Sequence, residues 1–257
     1  MKIGACFNYK NLHLLKERGF DFWEANLGWL AGISDEEFEK VREVCDRYDL
    51  YPYSANGFFT ADMKLYEMTE RRLQEYCTLA FSRLTQLGHN RMRGRICVVG
   101  GGGNRMIPPG FSRVRAEEIF VNSLRVCAEV GLKYDVTLAI EPLNSKETNF
   151  VNTLSEALKV CKKADHPHVM CLVDIYHFYC ENEPLDVIKE TGELLAHVHL
   201  SAPDRYIPSA KDMDVCRKWK KALENIGYKG CVSLEGYWLP DEVTALENFR
   251  PVMQIYH

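Results

Sequence analysis

No apolar run in these 257 residues approaches the roughly 18 that a bilayer crossing needs, so the sequence offers no membrane-spanning helix. Cys-x-x-Cys is also missing, although the chain has 10 cysteines. Most of them, such as Cys77, Cys97, Cys127 and Cys161, sit inside apolar periodic stretches. That pattern reads as buried free thiols in a reducing compartment, and it argues against a disulfide frame or a zinc site built on Cys. A basic excess is absent too: the net charge is -4. Nucleic-acid binding draws its affinity from neutralised phosphates, so this balance speaks against it. Arg91, Arg93 and Arg95 do gather before an apolar run, where they read as a solvated loop. The opening Met-Lys-Ile-Gly-Ala-Cys-Phe shows neither a charged region nor a long apolar stretch of the secretory kind, and the expectation is a cytoplasmic protein. No Pro/Gly/Ser linker or low-complexity tract divides the chain, so one domain over 1–257 is expected.

What is present is alternation. Apolar β-type runs fall at 2–7, 20–27, 50–56, 95–99, 137–142, 169–175, 196–201 and 231–236. Amphipathic helical patterns lie between them at 35–48, 69–87, 115–134, 153–164 and 212–226. Ser34 and either Asn152 or Thr153 are placed to cap the first turns, and Gly227 to end the last. Eight β-units, each followed by a helix, is the count of a closed α/β (β/α)₈ barrel, which fills roughly 250 residues as one domain. An open doubly wound sheet alternates in the same way, but no Gly-x-Gly-x-x-Gly follows the first strand. The Gly-rich stretch at 100–110 lacks the Lys-Ser/Thr of a phosphate loop. It reads as a flexible loop over the barrel mouth, with Arg105 available to an anionic group.

In such a barrel the chemistry sits at the strands' C-terminal ends. The fifth run ends Leu-Ala-Ile-Glu141-Pro-Leu-Asn144 and the sixth Cys-Leu-Val-Asp174-Ile-Tyr-His177. The seventh reads Ala-His197-Val-His199-Leu-Ser and the eighth Val-Ser-Leu-Glu235-Gly-Tyr-Trp. Burying one carboxylate is costly unless its charge is offset. Three carboxylates and an imidazole on four neighbouring strand ends call for a cation between them. The mixed O/N set suits Mn²⁺, with Co²⁺ or Mg²⁺ as alternatives, rather than structural zinc. His197 and His199 share a face. His199, nearer the end, is the better ligand, and His197 reads as a hydrogen-bonded interior histidine. Glu24, inside the second run, either faces the barrel and supports the site or pairs with a Lys or Arg.

The motifs Ala-Ile-Glu-Pro-Leu-Asn at 139–144, Val-Asp-Ile-Tyr-His at 173–177, His-Val-His-Leu-Ser-Ala-Pro-Asp-Arg at 197–205 and Ser-Leu-Glu at 233–235 resemble those of the sugar phosphate isomerase/epimerase family of xylose-isomerase-like barrels. D-tagatose and D-psicose 3-epimerases and hydroxypyruvate isomerases are members of that group. The resemblance implies Glu141, Asp174, His199 and Glu235 as metal ligands, and Glu141 and Glu235 as the carboxylates that move protons. It implies Glu147, His177 and Arg205 as residues holding the substrate's oxygens, and a dimer or tetramer as the assembly. Trp29, Phe58, Phe59 and Trp238 fall near loops at the mouth, where they either pack on a sugar face or belong to the local core. Asn56 ends the third run and is placed to reach the substrate.

The reaction implied is proton abstraction next to a sugar carbonyl, leading to epimerisation or isomerisation. Two rivals share the barrel. One is a subunit that cleaves C-glycosides of 3-oxo sugars together with a partner chain. The other is an abasic-site endonuclease, which needs further His ligands where this chain has Asn56 and a glycine run. A metal-binding sugar sensor is the non-enzymatic alternative.

Overall fold

The computed structural model describes residues 1–88 and 92–256. Eight parallel strands form one sheet: β1 (Lys2–Ala5), β2 (Trp23–Asn26), β3 (Pro52–Asn56), β4 (Arg95–Val99), β5 (Val136–Ile140), β6 (Val169–Asp174), β7 (Leu195–Leu200) and β8 (Cys231–Leu234). From β2 to β8 each strand pairs with the next in chain order, and β8 pairs with β1. A parallel bridge between Cys6 and Glu24 joins the two ends of the sheet, so the barrel is nearly closed. The (β/α)₈ expectation therefore holds, and the open sheet is excluded.

Ten α-helices are found among the described residues: α1 (Leu12–Glu17), α2 (Leu27–Gly32), α3 (Asp35–Tyr48), α4 (Glu70–Gln86), α5 (Gly102–Arg105), α6 (Arg113–Tyr134), α7 (Leu154–Ala164), α8 (Ile175–Cys180), α9 (Met213–Asn225) and α10 (Glu242–Tyr256). Local chemistry sets their starts. Ser34, Thr69, Ser112 and Thr153 each accept the backbone N–H three residues on, which satisfies one of the free donors of the first turn. Asp49, Asp135 and Asp165 end α3, α6 and α7 in the left-handed region, a conformation that short polar side chains tolerate. None of these helices is long and apolar enough to cross a membrane.

The strands' outer faces pack against the helices through residues such as Leu138, Ile140, Val173, Val198 and Leu200, all buried. A smaller cluster, Ile96, Val98, Ala139 and Leu172, is separate from that core. Strand side chains alternate, so Glu141 shares a face with Ala139, and Asp174 with Leu172. The same period aligns His199 with His197, Glu235 with Ser233, and Asn56 with Ser54.

One reading of the arginines needs correction. Arg95 is no solvated charge: it opens β4, is buried, and donates from its guanidinium to the carbonyls of Pro52 and Leu87. Burial brings its pKa down to about 10, so it stays charged at neutral pH. Arg91 lies outside the described residues. All ten cysteines are free, and eight are buried, as the apolar settings of most of them indicated.

Candidate active site and metal centre

Glu141 directly follows β5, Asp174 ends β6, His199 lies one residue before the end of β7, and Glu235 directly follows β8. Backbone pairing continues past the strand ends. The Glu141 N–H donates to Val99 O at 3.1 Å and the Glu235 N–H to Leu200 O at 3.2 Å, which fixes where both carboxyl groups start. One ligand atom from each of the four residues lies within 4.8 Å of the other three. His199 is the hub. Its Nδ1 stands 2.9 Å from Glu235 Oε2, 3.1 Å from Glu141 Oε1 and 3.7 Å from Asp174 Oδ2.

The electrostatics fit a cation. Burial disfavours a charged imidazole, but the charges of Glu235 and Glu24 outweigh it and hold the His199 pKa well above its ordinary value. Burial also opposes ionisation of Asp174, yet its hydrogen bond to His199 and the charge of that ring bring it to about 2. Glu235 is pushed up by burial and by the neighbouring Glu141 charge. Three acidic groups crowd one proton-bearing nitrogen, and a divalent ion with O and N ligands would satisfy all four. The donor set contains no thiolate, which separates it from a Cys-rich structural zinc site.

Beneath this cluster lies a second polar layer. Glu24, on β2, faces the barrel interior, as one of its two sequence readings had it. Its Oε1 meets His199 Nε2 at 2.8 Å, while its Oε2 meets His197 Nε2 at 2.8 Å and Ser54 Oγ at 2.5 Å. Burial opposes its ionisation, but the charge of His199 and the hydrogen bonds from both imidazoles keep its pKa well below the usual carboxylate range. His197 is the interior histidine expected, and it also lies 3.1 Å from Ser233 Oγ. Burial lowers its pKa, in keeping with a neutral ring.

A third group gathers on the β5–β7 side. His177, the third residue of α8, is buried, and Asn144 donates to its Nδ1 from the backbone N–H at 3.2 Å. The Asn144 side-chain amide approaches the same nitrogen at 2.8 Å and donates to Glu147 Oε1 at 2.9 Å. Arg205 donates to that Glu147 oxygen at 3.2 Å and lies over the Tyr176 ring at 4.7 Å. Since His177 Nδ1 accepts, Nε2 carries the hydrogen. That buried Nε2–H has no partner among the described residues. Asn144 was quoted in the sequence motif without a role, and the structure supplies one: it orients both His177 and Glu147.

The remaining expectations divide. Asn56 donates to Glu235 Oε1 at 3.0 Å, so it contacts the acidic cluster itself. Trp29 stacks on Tyr9 with ring centroids 5.5 Å apart and lines a cavity of about 360 Å³ with Phe7 and Trp23, to which none of the four clustered residues contributes. Phe59 packs on Phe58 at 4.3 Å, and Phe58 in turn on Phe81 at 5.4 Å, which is the local-core alternative for both rings. Trp238 meets Phe7 edge-on at 4.9 Å. The glycine stretch is not an open anion cradle. Part of it forms α5, and the Arg105 guanidinium is buried on the carbonyls of Val99, Glu141, Phe150 and Val151 at 2.7–3.2 Å. With its donors spent on the backbone, Arg105 is a brace behind Glu141 rather than an anion ligand.

Residues 12–251 match the family model described as xylose isomerase-like TIM barrel. The D-psicose 3-epimerase of Enterocloster bolteae is 29% identical over 263 residues, covering 92% of this chain and 82% of that one. A probable ketose 3-epimerase of Synechocystis is 32% identical over 135 residues, and a 3-dehydro-D-guloside 4-epimerase of Escherichia coli 31% over 116. Those two matches span only 45% and 44% of the relatives' lengths. Among solved structures, D-psicose 3-epimerase in the presence of D-fructose superposes with a TM-score of 0.83 at 18% identity, covering 99% of this chain and 97% of that one. The 3-keto-D-glucoside 4-epimerase of Escherichia coli superposes at 0.81 and 24%, covering 99% of each chain. The chain belongs to the xylose isomerase-like TIM barrel family.

Proposed function

We propose that the protein is a divalent-metal-dependent sugar isomerase or epimerase acting on a ketose or related hydroxy-carbonyl compound. One observation carries the reading: two glutamates from different sides of the barrel, Glu141 after β5 and Glu235 after β8, meet at one imidazole nitrogen together with Asp174. The names of the relatives support the reading: ketose and D-psicose 3-epimerases, a 3-dehydro-D-guloside 4-epimerase and a putative hydroxypyruvate isomerase.

Glu141, Asp174, His199 and Glu235 would hold the cation, with Mn²⁺ as the best match to three carboxylates and one imidazole. Such an ion supplies Lewis acidity toward the sugar's carbonyl oxygen. Glu141 and Glu235 act on the carbon beside that carbonyl. One takes its proton, and the other returns a proton from the opposite face or to the neighbouring carbon. Asn56 holds Glu235 Oε1, which leaves Oε2 toward the reacting centre. The His177 Nε2–H, without a partner among the described residues, and the guanidinium of Arg205 supply fixed donors to sugar oxygens, and Glu147 accepts from a hydroxyl. Homo-oligomeric assembly is part of the same proposal.

The test is deuterium incorporation from D₂O into a bound ketose such as D-fructose or D-tagatose with Mn²⁺ present. Glu141→Gln and Glu235→Gln are each expected to slow it by about 10²- to 10⁴-fold, the usual worth of a positioned acid or base. Exchange at the parental rate in either variant would sink the two-glutamate mechanism.

A further inference from the structure

We propose that Glu24 is a positioning residue: it dictates which nitrogen of His199 faces the acidic cluster and so sets the affinity of the site for a divalent cation. The inference rests on the cation reading of that cluster, not on the reaction assigned to it.

Glu24 lies within β2, fully buried, and its ion-pair partners among the described residues are His197 and His199. Its two oxygens have separate tasks. Oε1 receives His199 Nε2 at 2.8 Å, and Oε2 receives His197 Nε2 at 2.8 Å and Ser54 Oγ at 2.5 Å. An ionised carboxylate only accepts, so all three partners must donate. Each imidazole therefore carries its hydrogen on Nε2. For His199 this leaves Nδ1 as the nitrogen that can offer a lone pair, and Nδ1 is the one turned to Glu141, Asp174 and Glu235. A flipped ring would set a C–H against Glu24 and lose the 2.8 Å contact.

His197 behaves differently. Its Nδ1 is buried and has no partner among the described residues, so its polar contacts there all run through Nε2, to Glu24 and Ser233. We read its task as holding Oε2, so that Oε1 cannot swing away from His199. Ser54 Oγ also lies 3.4 Å from Ser233 Oγ, so the brace links β2, β3, β7 and β8 across the barrel interior. A carboxylate behind a metal-binding imidazole fixes its tautomer and raises its basicity, and removing such a partner costs about 10- to 100-fold in metal affinity.

A glutamine at this position cannot reproduce the pattern. Its amide offers one acceptor and one donor where three donors converge, so one of the imidazoles must give up its Nε2–H tautomer, and the negative charge behind His199 is gone either way. Methionine, similar in volume, removes acceptance altogether. Calorimetric titration with Mn²⁺ should therefore show Glu24→Gln weakened by about 10- to 100-fold and Glu24→Met by at least as much. Nitrogen-15 spectra of the unmutated protein give a readout that a purely structural role would not produce. His199 Nε2 should stay protonated both without metal and with ¹¹³Cd²⁺, and the cadmium coupling should appear on Nδ1. Coupling to Nε2 overturns the proposal, as does Mn²⁺ binding within threefold of the parent in both variants. If the variants do not fold, the spectra of the unmutated protein decide alone. Failure here with intact solvent exchange leaves the proposed reaction standing, whereas an unmutated protein that binds no divalent ion removes both.

Discussion

Gly100 follows β4 directly, and a Cβ built on it would lie 2.3 Å from Glu141 Oε2. Among the described residues other than its two chain neighbours, the only other atom within 4 Å is Glu141 Cδ at 3.5 Å. Ordinary contact begins near 3.4 Å, so Gly100→Ala obliges the Glu141 carboxylate to withdraw by about 1 Å (3.4 minus 2.3). Gly100 is absent from the positive-φ residues, so alanine is compatible with its backbone, and the crowding falls on one side chain. A displacement of about 1 Å in a reacting group costs on the order of 10²-fold in rate, or about 2.7 kcal/mol of barrier. Stability should change by less than about 1 kcal/mol, which for a chain of this size is a melting shift of about 2–4 °C. The assay pairs deuterium incorporation into a ketose with a melting curve on the same preparation. A hundredfold slower exchange with a near-parental melting temperature is the expected outcome. Exchange within threefold of the parent would show that the position of the Glu141 carboxylate does not govern the reaction, and the acid–base assignment would fall with it.

Two further outcomes follow from buried charges. Arg105→Met strips four backbone carbonyls of a charged donor. At about 1 kcal/mol or more for each lost bond, chemical denaturation should show a loss of about 4 kcal/mol or more, and a loss below about 1 kcal/mol would mean that other donors replace it. The second concerns pH. The folded pKa of His199 is raised above 6.5, so its contribution is complete below about pH 6.5 and fades as the pH rises through the folded value. Protein treated with EDTA should therefore lose thermal stability from pH 6.5 upward. Saturation with Mn²⁺ should restore about 2.7 kcal/mol at one hundred times its Kd, and a flat profile for the metal-free protein would count against the cluster.

Much of the barrel is legible because its strands alternate with long amphipathic helices such as α4 and α6. The shorter elements escape. α2 and α8 have six residues each, less than two turns, and give no periodic signal. The glycine stretch misleads for another reason: its loop character is plain in the sequence, but the space it leaves is explained only by Glu141, forty-one positions on, whose carboxylate passes where a Cβ of Gly100 would be. Arg105 and Arg95 mislead similarly. An arginine next to glycines or before a strand reads as exposed until the carbonyls that surround it are seen to come from distant turns. Trp29 and Phe59 show the limit of reading aromatics near a barrel mouth as a sugar platform: Phe59 is buried against Phe58, whereas Trp29 stacks on Tyr9 and still lines a cavity.

The four clustered residues could be found because each lies at or near the end of an apolar run, where an ionisable side chain is conspicuous. Glu24 could be noticed but not assigned, because its partners come from positions 54, 197 and 199 and no local pattern joins them. Yet strand periodicity links the two layers. On β3, β7 and β8 the lower member of an i, i+2 pair is a supporting residue (Ser54, His197, Ser233) and the upper member belongs to the site (Asn56, His199, Glu235). Both members face the interior only in one register, so a slip of one residue would turn support and site outward together. Pairing fixes that register: Glu24 lies beside Ser54, and His199 beside both Asp174 and Ser233. The ladder that closes the barrel is thus also what sets His199 between Glu24 on one side and the three carboxylates on the other.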